Sequence, residues 1–239
     1  MFTRLERLRD ALDFKPRCVI DVGANVGRWT ERASAIWPDA SFLMVEANAM
    51  HKHRLEAQLA RLQKRGGARH AYAIAVLANA TGKRSLFVPR PEHRAAAHTG
   101  TSLFRQVPSA AKFMREERDV QPLDALAAAH GLTGCGLIKA DVQGAELEVL
   151  SGAPTALAAA EAVLLELSVA QYNEGAPPWS RVVAQMDAWG YAAYDVAELS
   201  YSRSAEARRR PGHAPLLQMD WIFVRVGSAL WERARRAPL

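Results

Sequence analysis

Cysteine is scarce in this chain. Only Cys18 and Cys135 occur, with no C-x-x-C and no cysteine–histidine cluster, so neither a zinc site nor a disulfide framework is indicated. Each lies in or beside an apolar run, the usual setting of a buried thiol, and a bridge would require their strands to be neighbours. No apolar run approaches the ~20 residues that cross a bilayer. Residues 1–9 alternate apolar and charged side chains at helical spacing, without the hydrophobic stretch of a secretory leader. A soluble, cytoplasmic protein is expected. No G-x-S-x-G frames a serine, and Ser102 has no evident base partner, so nucleophilic hydrolysis is not indicated. No internal repeat is visible. With 49% apolar residues, the chain reads as one packed domain over residues 1–239.

What the chain does have is Asp21-Val22-Gly23-Ala24-Asn25-Val26-Gly27, between the apolar run Cys18-Val19-Ile20 and an amphipathic stretch through Trp29, Ala33 and Ile36. That is strand, glycine turn, helix. Gly23 and Gly27 permit a tight turn against which a ligand can lie, with free amides at the helix start. Glu46 closes the next apolar run, where a carboxylate can accept hydrogen bonds from a ribose diol. A dinucleotide turn would be G-x-G-x-x-G. Here Asp21 takes the first glycine position, where it would repel a pyrophosphate and attract a cationic amino acid. The turn therefore favours S-adenosylmethionine over NAD.

The expected order begins with a helix to about Phe14 and a strand ending at Asp21. A helix follows to about Trp37, then a strand to Glu46, a helix over residues 50–64 and a strand over residues 69–75. Short connections indicate a parallel, doubly wound sheet. Residues 79–83 read as a hairpin turn into a strand at 85–88. Residues 89–119 show no clean periodicity and form a candidate lid or substrate loop, with His93 and His98 in it. Regularity returns with a short strand at 120–124 and its helix, then strands at 136–140 and 162–167. A helix over 179–189 leads to a strand at 191–195, and residues 218–226 alternate as a strand. Two strands in succession predict an antiparallel closing hairpin on a seven-stranded, mostly parallel α/β sheet. The formal charge of +6 concentrates in Arg203 and Arg208 to Arg210, and in a basic tail over 227–239 with Arg233, Arg235 and Arg236. Such clusters read as solvated surface or as phosphate contacts.

A second constellation runs Ile138-Lys139-Ala140-Asp141-Val142-Gln143-Gly144-Ala145-Glu146-Leu147-Glu148-Val149-Leu150, with Gly152 beyond. An apolar strand delivers Asp141 to its carboxyl end, where ligands bind in open α/β sheets. Together with the glycine turn, Glu46, residues 73–76, Thr101-Ser102-Leu103 and Leu123-Asp124-Ala125-Leu126, this block resembles the FkbM family of S-adenosylmethionine-dependent methyltransferases. The likeness spans residues 19–223. Gln143 departs from it, since the family pattern usually has glutamate there.

The resemblance implies a Rossmann-like class I fold, S-adenosylmethionine as cofactor, and O-methylation of a sugar, polyketide or similar small hydroxyl acceptor. The cofactor-binding residues that follow are Asp21, Gly23, Ala24, Asn25, Gly27, Glu46, Ala75 and Asp141. Asp141 is the leading candidate to take the hydroxyl proton or anchor the acceptor, His98 the second, and Glu146 could point toward Asp141. A cation held by Asp141 and Glu146 would be a third route to an acidic hydroxyl, but two carboxylates are a weak ligand set, and no metal is assigned. The simpler roles are a helix cap for Asp141 and first-turn dipole contacts for Glu146 and Glu148. The expected partner is a small molecule such as a saccharide, rather than nucleic acid, and a homo-oligomer stays open. An RNA methyltransferase and a non-catalytic nucleotide-binding protein are the alternatives.

Overall fold

The computed structural model describes residues 1–64, 66, 68–90, 92, 100–202 and 214–237. His93, His98 and the arginine cluster at 203–210 lie outside the described residues. Seven strands form the main sheet: β1 (Cys18–Val22), β2 (Ser41–Glu46), β3 (His70–Ile74), β8 (Leu137–Ala140), β9 (Ala162–Ser168), β11 (Tyr191–Tyr201) and β12 (Leu216–Arg225); the short β6 (Arg105–Gln106) and β10 (Asn173–Glu174) pair apart from it. Their order is β11-β12-β9-β8-β1-β2-β3, with β12 antiparallel to both neighbours and the other pairs parallel. Every residue of β1 is buried, as a central strand covered on both faces must be.

Period-two alternation divides the core into two layers. Val19, Phe42, Leu137 and Leu164 face α1 (Phe2–Leu12) and α2 (Arg28–Ile36). Ile20, Leu43, Ile138 and Val163 face the opposite layer, built on α4 (Leu123–Ala129), α5 (Glu146–Ser151), α6 (Pro154–Ala159) and α7 (Trp179–Ala188). In α1, Leu5, Leu8 and Leu12 make the buried stripe, and α3 (Lys52–Gln63) buries Leu55 and Leu62 beside Met44. The helix stops two residues short of Phe14 because Asp13 turns left-handed, at φ 47°.

Four features differ from the sequence-based expectations. Residues 79–83 make no hairpin: β4 (Val76–Leu77) and β5 (Gly82–Pro89) flank β7 (Phe113–Gln121) instead, in the order β4-β7-β5. Strand β7 takes up much of the segment read as irregular. Its run Met114-Arg115-Glu116-Glu117-Arg118-Asp119 is polar because only one face of this small sheet packs, through its own Val76, Leu86, Val88 and Val120. At the other end of the chain, the basic residues 229–236 form a helix. Ser228 caps it by accepting the Trp231 N–H at 3.1 Å, and buried Leu230 anchors it.

The fourth difference is a correction. Cys18 and Cys135 are not separate thiols but a disulfide. Parallel pairing of β1 with β8, with Val19 opposite Leu137 and the Gly136 N–H bonded to the Cys18 carbonyl at 3.0 Å, sets the two side by side. That adjacency is a matter of strand order and could not be read from the chain.

Candidate active site

The glycine turn leaves β1 at its carboxyl edge. Gly23 and Ala24 both donate to the Val45 carbonyl, each at 2.9 Å, which ties the turn to β2. Gly23 has φ 75°, and a Cβ there would fall 1.9 Å from the backbone oxygen of Asp141. The tips of β1 and β8 thus meet with no room for a side chain. Gly27, at φ 78°, starts α2 without a side-chain cap. Glu46 is buried, and its two oxygens accept the Asn25 and Asn48 backbone N–H groups at 2.7 Å each. Burial raises its pKa, while those two amides oppose the rise. A carboxylate held at both oxygens keeps lone pairs in a fixed direction, as recognition of a diol requires.

Register places the charged groups. Asp21 stands opposite Lys139 on the neighbouring strand. Lys139 Nζ lies 3.1 Å from Asp21 and 3.5 Å from Asp141, and donates to the Gly23 carbonyl at 3.1 Å. Thr30 donates its hydroxyl proton to Asp21 at 2.6 Å. Burial by itself would lower the Lys139 pKa, but the two carboxylates outweigh it and raise it. Asp21 is wholly buried and does not line the cavity, so the cation beside it is Lys139.

Asp141 follows β8, and the pairing of Ala140 with Leu165 brings Glu166 level with it; Asp220 on β12 stands opposite Glu166. Gln143 Nε2 donates to Asp141 at 3.1 Å and to Glu166 at 2.5 Å, and Gln218 Nε2 donates to Glu166 at 2.7 Å. Burial pulls the Asp141 pKa up, but Lys139 and these hydrogen bonds bring it below the usual carboxylate value. Burial, then the charge of Asp141, pushes Glu166 well above it. The two carboxylates titrate as a pair, with Asp141 the more acidic of the two. Burial and Asp141 also raise Asp220, to about 7.

Glu146 points elsewhere. One of its oxygens accepts the Val142 and Gly144 N–H groups at 3.2 and 3.1 Å, and burial raises its pKa to about 7. It braces the loop after β8 and does not line the main cavity. Among the described residues, no three His, Cys, Asp or Glu side chains are grouped to hold a metal ion.

Gly23, Asn25, Glu46, Ala75 and Asp141 line one cavity of about 630 Å³, within the ~300–1,000 Å³ range of small-molecule sites. Ala24 and Gly27 build the turn without lining it. Residues 100–103, Gln106, Lys112 and Phe113, all from the segment expected to meet substrate, form part of its wall. Ser102 is pinned there by backbone bonds with Phe87 and by its hydroxyl on the Gln143 carbonyl at 2.8 Å. Lys139, Glu166, Tyr172 and Gln218 were not among the expected site residues. A lysine and a glutamate inside otherwise apolar strands were the available signals.

The set fits S-adenosylmethionine. Glu46 suits the ribose diol, the apolar stretch Ala75-Val76-Leu77 with Val45 suits a purine face, and ionised Asp141 suits a cationic centre.

Fold and site together define a class I, S-adenosylmethionine-dependent methyltransferase. The family model of the methyltransferase FkbM domain matches residues 21–193, and the chain belongs to that family. Its cofactor is S-adenosylmethionine. No curated protein sequence matches the chain. Similar solved structures include a precorrin-6y C5,15-methyltransferase from Geobacter metallireducens (10% identity, 91% of this chain and 85% of that one, TM-score 0.46). A magnesium protoporphyrin IX methyltransferase from Synechocystis with bound cofactor is another (8%, 94% and 77%, 0.49). A third is a putative RNA methyltransferase from Pyrococcus horikoshii (11%, 94% and 82%, 0.46). No described helix is long and apolar enough to cross a membrane.

Proposed function

We propose that the protein methylates a hydroxyl group on a small acceptor, a saccharide, polyketide or similar molecule, with Asp141 taking the proton. The observation that carries this reading is the placement of Asp141 on the cavity wall beside Glu166, with the Lys139 ammonium 3.5 Å away lowering the Asp141 pKa. When bound, S-adenosylmethionine supplies a methyl group activated by a sulfonium. An acceptor hydroxyl that gains a bond to carbon becomes strongly acidic, so a carboxylate of low pKa is a sufficient base. Its negative charge also stabilises positive charge developing on the oxygen. Lys139 keeps Asp141 ionised, Glu46 and Asn25 hold the nucleoside end, and Leu86, Leu103, Phe113 and Leu217 offer an apolar face to the acceptor body. Positioning supplies a large part of the acceleration.

The test combines calorimetry with S-adenosylhomocysteine and a labelled-methyl screen of sugars and hydroxylated lipids. Asp141→Asn should bind that product within about twofold of the parent and lose about 10²–10⁴ in turnover. Unchanged turnover would move the base elsewhere, with His98→Ala as the next variant. Salt-sensitive retention of RNA in place of small-molecule turnover would favour the RNA alternative. We place the enzyme in the cytoplasm; a Cys18–Cys135 bridge found intact in freshly lysed cells counts against that.

A further inference from the structure

Gln143 has more contacts than its place in a loop requires. It sits at φ 56°, and its carbonyl accepts hydrogen bonds from Ser102 Oγ at 2.8 Å and Asn173 Nδ2 at 2.7 Å. Its Oε1 accepts from the Tyr172 hydroxyl at 3.3 Å. These bonds fix the direction of the amide nitrogen, which stands 3.1 Å from Asp141 Oδ1 and 2.5 Å from Glu166 Oε2. A primary amide has two N–H donors, one for each carboxylate, and no charge. Two buried carboxylates this close repel each other unless something positive or donating stands between them.

We infer that Gln143 is a positioning residue whose neutral amide takes the place a divalent cation would otherwise fill between Asp141 and Glu166, so that the site binds no such ion there. The inference rests on the reading of Asp141 as the proton acceptor. It deepens that reading, because an amide bridge leaves Asp141 an oxygen for the acceptor without a metal competing for it. Glutamate at 143 has the same size but no donors. It would set a third carboxylate against the other two, an all-oxygen group suited to a hard cation.

The test uses Mn²⁺ alone as the probe, followed by electron paramagnetic resonance, on the full chain and on Gln143→Glu. The parent should leave Mn²⁺ free, and Gln143→Glu should bind it at least about tenfold more tightly, because ligand charge sets affinity at such sites. Mn²⁺ should also raise the melting temperature of Gln143→Glu and leave that of the parent unchanged. The double variant Gln143→Glu, Glu166→Gln again has one amide and two carboxylates; it should lose the ion and melt like the parent. Equal Mn²⁺ binding by the parent and Gln143→Glu, or none by either, overturns the inference. Should Gln143→Glu alone not fold, the double variant must fold, and its failure overturns the inference equally. Binding of S-adenosylhomocysteine, measured in parallel on the parent, keeps the two readings apart: its loss there would strike the methyltransferase site, whereas the Mn²⁺ result concerns only the bridge.

Discussion

Replacing Lys139 by methionine removes one charge and almost no volume, which isolates the electrostatics of the site floor. Lys139 is buried, and its ammonium lies 3.1 Å from an Asp21 that has no exposure to water. Without it, Asp21 keeps only the hydroxyl of Thr30 among the described residues as a side-chain partner. Breaking a buried pair by removing one member costs about 3–5 kcal/mol, because the other charge is left uncompensated. At ~2–4 °C per kcal/mol for a chain of this size, the melting temperature should fall by about 6–20 °C. The pH dependence carries the sign. The Lys139 pKa is raised in the folded state, so its contribution is complete below the ordinary lysine value and is lost only as pH rises through the higher folded one. The parent should therefore show no lysine-linked loss between pH 5 and about 9. Adding Asp21→Asn should recover most of the loss. Thermal and urea melts of the four proteins of this cycle measure it. A loss under about 1 kcal/mol with no recovery in the double variant would refute the reasoning.

Gly23→Ala should cost more than about 2 kcal/mol and weaken S-adenosylhomocysteine binding more than about tenfold, because the new Cβ meets the Asp141 carbonyl at a left-handed φ. Denaturant melts and calorimetry check it; near-parental values would mean that the β1 and β8 tips are not in contact. Glu146→Gln should flatten the pH dependence of stability. The Glu146 pKa rises from 4.5 to about 7 on folding, so the folded state binds the extra proton. Stability is greatest below 4.5 and is lost as pH climbs to about 7, by up to ~3 kcal/mol at ~1.36 kcal/mol per unit. Glutamine retains the oxygen that accepts the Val142 and Gly144 amides, so the variant should match the parent at pH 4 and exceed it above pH 7; the reverse order rejects the assignment.

The parts of this protein legible in its sequence are those set by neighbours along the chain. The spacing of Gly23 and Gly27 after an apolar run specifies strand, turn and helix, because left-handed backbone and an uncapped helix start are local needs. Glu46 and Asp141 could be placed at strand ends for the same reason, since an apolar run that stops at an acid marks the carboxyl edge where ligands collect. The mostly parallel sheet and its antiparallel close followed from the alternation of helix and strand. Polar β7 escaped because its pairing, not its hydrophobic pattern, makes it a strand.

Partnership across the sheet was decided only in three dimensions. Asp21 finds Lys139 through the register of β1 on β8, and Asp141 finds Glu166 through that of β8 on β9. A sequence shows that an acid is present but not which base or acid faces it, and the sign of a pKa shift depends on that neighbour. The Cys18–Cys135 pair shows the same limit. Local backbone chemistry wrote the glycine turn; strand order, which brings Cys18 to Cys135 and Asp21 to Lys139, assigned each charge its counterpart.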